Sequence, residues 1–79
     1  MNLSEMSAEE YDRVIFDIVA SIWEAYRVST KNKNAAQFNQ VFKDLYIKYD
    51  KDLFTHVIRY MGLALAPSIN FIVSGEEYV

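Results

Sequence analysis

The chain has 79 residues, of which 52% are hydrophobic and 15% aromatic, with no cysteine, one histidine and a formal net charge of −3. This length supports a single domain, 1–79. The missing cysteines exclude disulfides, thiolate metal sites and a cysteine nucleophile, and an acidic balance with three arginines runs against the electrostatic footprint of a nucleic-acid binder.

So short a chain buries only about 60% of the surface its unfolded form exposes. A compact monomer with this composition leaves several large apolar side chains in water, and contiguous apolar surface marks a contact site. A homo-oligomer or a protein partner is therefore expected. The acidic opening, MNLSEMSAEE, does not read as a secretory signal. The most apolar stretch, VIRYMGLALAPSINFIV, is interrupted by Arg59, Pro67 and Asn70, short of the ~18 uninterrupted apolar residues of a membrane span. It reads as the core of a cytoplasmic domain without membrane association.

With one proline and two glycines the punctuation is helical rather than β. Ser7 is placed to cap a first helix over about 8–27, with Glu10 three residues on as in a capping box. The apolar series Tyr11, Val14, Ile15, Ile18, Val19, Ile22 and Tyr26 then recurs at steps of three and four. STKNKN follows as a polar loop. A second helix is predicted over about 35–49, capped by Asn34 with Gln37 in the reciprocal position, its stripe formed by Phe38, Val41, Phe42, Leu45 and Tyr49. A third, over about 51–66, is expected to be capped by Asp50 and stopped by Pro67, which lacks an N–H and crowds the preceding turn. Beyond it, about 68–74 reads as a short element, helical or extended, closed by Gly75. Fraying is expected over about 1–6 and 76–79. The fold class is all-α, a small bundle of three main helices and this C-terminal element.

The first helix is apolar over far more of its circumference than a bundle helix needs. A stripe somewhat over ~100° wide suffices, and this one spans roughly twice that. Phe16, Ala20 and Trp23 lie on a second face beside the narrow polar strip of Arg13, Asp17, Ser21 and Glu24. Either the rest of the chain wraps that face, or another molecule meets it. Tyr and Trp are enriched at interface hot spots, so Phe16, Ala20, Trp23 and Arg27 form the candidate interaction surface.

No catalytic constellation stands out. His56 has Asp52 four residues earlier, a spacing that reads as a surface ion pair rather than a catalytic dyad. One His without Cys does not make a zinc site, and no metal or cofactor is expected. The acids at the start of the first helix suit its dipole, while Asp17 and Glu24 read as solvated. Glycine-rich phosphate loops and Gly-x-Ser-x-Gly are absent from the sequence. The charges divide unevenly: residues 1–30 hold six acids against two bases, and residues 31–59 hold six bases against three acids. Lys31, Lys33, Lys43 and Lys48 are candidate contacts for phosphate or an acidic partner.

The sequence thus favours a non-enzymatic protein-interaction module that self-associates and serves as a small adaptor or as an inhibitor of a larger protein, of the sort bacteria and their viruses encode. Two rivals remain: a nucleic-acid-associated helical protein using the lysine-rich middle, and a small-ligand-binding bundle with an aromatic pocket.

Overall fold

Ser7 opens the first helix as its sequence context predicts, its hydroxyl oxygen accepting the Glu10 N–H at 3.1 Å. In the computed structural model, which describes residues 6–75, three helices follow one another: α1 (Ala8–Asn32), α2 (Ala36–Lys48) and α3 (Asp52–Ser74). The fold is an all-α bundle, with no strand among the described residues. The expectation of fraying over 76–79 and most of 1–6 lies outside those residues.

α1 runs five residues past its predicted end. The polar side chains that read as loop are satisfied on the helix instead. The Thr30 hydroxyl donates to the Arg27 carbonyl at 3.0 Å, and Ser29 is buried against α2. The helix closes when Lys33 turns left-handed (φ 53°), so that its N–H and that of Asn34 both reach the Ser29 carbonyl.

α2 is capped differently from the prediction. Its N-cap residue is Ala35, which has no side-chain acceptor. Asn34 serves only the Ala36 N–H, at 2.8 Å, and Gln37 is exposed without a reciprocal bond. The N–H of Phe38, the third residue of α2, instead finds the Ser29 hydroxyl at 3.0 Å. One side chain of α1 thereby performs the work of an N-cap for the next helix.

Asp50 does not cap α3; Lys51 takes that position without a side-chain bond, and Asp52 supplies the acid in the first turn. Nor does Pro67 end the helix, so the predicted separate element at 68–74 is the continuation of α3. Pro67 forfeits the bond to the Leu63 carbonyl, but Leu63 stands on the exposed side, where water can take that oxygen. Continuing the helix also brings Ile69 into the core, which offsets the lost bond. Gly75, at φ 74°, closes it.

The helices run up, down and up. Ser29 meets the start of α2 and Asp17 meets its end, so α1 and α2 are antiparallel. The rings of Tyr11 and Phe54, 5.5 Å apart, set the start of α3 beside the start of α1, so these two are parallel. The core is one cluster of Ile18, Ile22, Phe38, Leu45, Phe54, Ile58 and Ile69. Ile18, Ile22 and Ile58 are wholly inaccessible, and burying each such side chain contributes about 1.5–3 kcal/mol.

Candidate interaction surface

Successive residues of a helix are about 100° apart, so contacts made on one side fix what the other side presents. On α1 the core strip is Ile18, Ile22, Ala25 and Ser29. Asp17 lies on one side of that strip and is bonded to α2; Ile15, Val19 and Trp23 lie on the opposite side. On α3 the core strip is Phe54, Ile58 and Ile69. Gly62 lies on its α2 side, where a Cβ would stand 3.1 Å from the Phe42 ring. Val57, Leu53, Ala64, Tyr60 and Phe71 fall on the opposite side. Both helices therefore turn an apolar flank away from α2, along the seam they share.

These flanks are open. Phe16 is 74% exposed, Trp23 53%, Tyr60 58% and Phe71 52%, with Val19 and Leu53 also exposed. Neither α2 nor the C-terminal part of α3 covers the second face of α1. Trp23 is held flat by stacking on Tyr26, at 5.4 Å and 11° between planes, and Tyr26 in turn meets Phe38 edge-on. The indole is thus a fixed, exposed plate, whose ordering entropy is largely spent before any contact forms. Ala20 and Arg27 are exposed on the margin of the same face. Beyond Ala20 a shallow groove of about 450 Å³ separates Phe16 from Lys48 and Tyr49.

The polar strip of α1 is not merely solvated. Asp17 accepts from Lys48 Nζ at 2.9 Å and from the Tyr49 hydroxyl at 2.5 Å, with Ser21 Oγ at a long 3.5 Å. The Tyr49 hydrogen bond, then Lys48, hold the Asp17 carboxyl below the usual carboxylate range. Burial and the bond to Asp17 push the Tyr49 phenol up, and Asp17 raises Lys48. Each group is fixed further into its neutral-pH form, which makes the trio a clip between α1 and α2 rather than an acid–base pair.

The candidate lysines are not brought together. Lys48 is committed to Asp17. Lys31 and Lys33 stand at the other end of α2, separated from Lys48 by a helix of 13 residues, or about 20 Å. Lys43 is exposed between them. His56 does not pair with Asp52; it lies edge-on against Tyr60 at 4.8 Å between ring centroids. Among the described residues no three His, Asp or Glu side chains are grouped to hold a metal ion. α3 is long and apolar enough to cross a membrane by length and composition alone; here its Phe54, Ile58 and Ile69 are buried in the core, and Arg59 lies in its first half.

Sequence reasoning missed the α3 half of this surface. Leu53, Tyr60 and Ala64 already stood at helical spacing within the predicted third helix, and Phe71 was lost by ending that helix at Pro67. The Asp17–Lys48–Tyr49 clip, between residues 31 and 32 positions apart, left no local pattern. No protein-family model, curated protein or solved structure matches the chain.

Proposed function

We propose that this chain is a non-enzymatic protein-interaction module, self-associating and acting as a small adaptor or as an inhibitor of a larger protein through the joint face of α1 and α3. The observation that carries the reading is the two-helix-wide apolar surface with Trp23 pre-stacked on it. Exposed aromatic plates on rigid helices lose little entropy on binding and exclude water well, which is why such residues dominate interface energetics. The α1–α2 side, by contrast, is lined by Ser21, Glu24, Gln37, Gln40 and Asp44 together with the small apolar Ala25, Val28 and Val41.

The test is the double variant Trp23→Glu/Tyr60→Glu. It is expected to keep the helical circular-dichroism spectrum and the melting behaviour of an isolated chain, while losing association with itself or with a partner. Unfolding of the variant, to the extent seen with Ile18→Ala, would show the face to be part of the folding core and remove the proposal.

A further inference from the structure

We infer that the occupant of this face is a second copy of the chain, related by a two-fold axis that crosses α1 between Val19 and Ala20 and crosses α3 at Gly62. The inference rests on the interaction-module reading and specifies its partner and register.

The carrying observation is that both exposed stripes are palindromic. On α1, Phe16 and Trp23 are equally distant from the point between Val19 and Ala20, and so are Asp12 and Arg27. On α3, Leu53 and Phe71 are equally distant from Gly62, and so are Tyr60 and Ala64. The two centres are level. The Tyr11–Phe54 ring contact sets the heights of the parallel helices, and from there eight residues lead along α1 to Val19 and eight along α3 to Gly62. One axis lying across the face therefore serves both stripes.

Such an axis reverses the helix direction and lays α1 on α1 and α3 on α3 of the second copy. Phe16 then faces Trp23 of the second copy, a large ring against a large ring, and Tyr60 faces Ala64, a large ring over a small side chain. Asp12 faces Arg27. By symmetry each of these pairs forms twice, as an isologous interface requires. The charge distribution selects this direction: α1 is acidic at its start (Glu9, Glu10) and basic at its end (Lys31), so antiparallel copies attract and parallel copies would oppose like charges. The area fits as well. At the exposures given above, the large side chains of the face leave roughly 600 Å² in solvent, more than most monomers show in one patch, and a standard interface takes about 800 Å² from each partner including its rim.

The experiment is a charge swap on the full chain, read by sedimentation equilibrium. The wild type is expected to be a dimer at micromolar concentration. Asp12→Arg and Arg27→Asp, both on exposed positions, should each weaken self-association about tenfold, because like charges then meet twice. An equimolar mixture of the two variants should recover wild-type affinity, since every facing pair is again of opposite sign. Because the chain has no cysteine, Val19→Cys should form a disulfide-linked dimer on mild oxidation, much faster than Lys43→Cys on the outer side of α2. A mixture no tighter than either variant alone overturns the register, as does cross-linking of Lys43→Cys at the rate of Val19→Cys. A wild type that stays monomeric removes the second copy as occupant but leaves the module reading, which fails only on unfolding of Trp23→Glu/Tyr60→Glu. Flotation of the wild type with phosphatidylcholine vesicles, abolished by Trp23→Glu, would assign the face to a lipid surface and also overturn the inference.

Discussion

The two flanks of α1 use different chemistry for different ends. Toward α2 the helix is fastened by polar contacts near both ends of the shorter helix: Ser29 on the Phe38 N–H at one, Asp17 on Lys48 and Tyr49 at the other. Directional bonds of this kind specify which helix packs there and in which register. Toward α3 the contacts are apolar, and the apolar surface continues past the seam into solvent at Val19, Trp23 and Phe16. Apolar contact is non-directional, so this flank does not distinguish an internal neighbour from an external one. Intramolecular pairing is specified on the polar flank, and the capacity for intermolecular contact is left on the other.

The sharpest break in that comparison comes from the strip between the flanks. Ile18→Ala should lose about 2–5 kcal/mol of folding stability, the transfer free energy plus a cavity term. Chemical denaturation of the isolated chain measures it, and a loss under 1 kcal/mol would mean the core lies elsewhere. Next is the polar flank. Ser29→Ala leaves the buried Phe38 N–H without an acceptor and should cost about 1–2 kcal/mol; in hydrogen exchange the first turn of α2 should become the most affected segment.

Asp17→Asn should cost less, about 1 kcal/mol, because the bond from Tyr49 to a charged acceptor weakens at a site partly open to solvent. Its pH signature is specific. Asp17 has a depressed folded-state pKa, so its contribution is present above the ordinary carboxylate pKa and disappears as pH falls through the lower folded value. Tyr49 has a raised one, so its contribution is intact at neutral pH and is lost as pH rises through about 10 and beyond. Stability profiles of the wild type and Asp17→Asn should therefore converge in acid; a constant gap down to pH 2 would contradict the clip. The smallest folding effect belongs to the open flank. Trp23→Ala should change the stability of the monomer by about 0.5 kcal/mol while removing most of the association, which melting at low concentration and sedimentation at high concentration report separately.

The helical class, the Ser7 cap and the broad apolar girth of α1 were legible in the sequence because each is written at spacings of three or four residues. The candidate face was legible only on α1. In its α3 half, Phe71 was hidden by a local rule: proline opposes helix, but the burial of Ile69 offsets the bond that Pro67 cannot make to Leu63. Ser29 and Asp17 were misread for another reason. A serine in STKNKN and an aspartate on a polar strip look solvated until the chain folds back and supplies an N–H nine positions on or a lysine 31 positions on. Long-range polar contacts carry no periodicity, so a single sequence does not announce them.

Pro67 leaves a permanent gap in the hydrogen-bond ladder of α3, two turns before the helix ends at Ser74. Helix cooperativity depends on an unbroken chain of such bonds, so the segment after the gap is coupled to the rest of the bundle mainly through Ile69 and its neighbours in the core. It forms a separate opening unit, with a free energy of opening below that of global unfolding. Amides from Phe71 onward should exchange with solvent through this local excursion, while those of Ile58 and Met61, on the unbroken side, wait for the whole chain to unfold. Phe71 belongs at once to this yielding end and to the open face, so anything seated on that face would be felt first as slower exchange in the last two turns of α3.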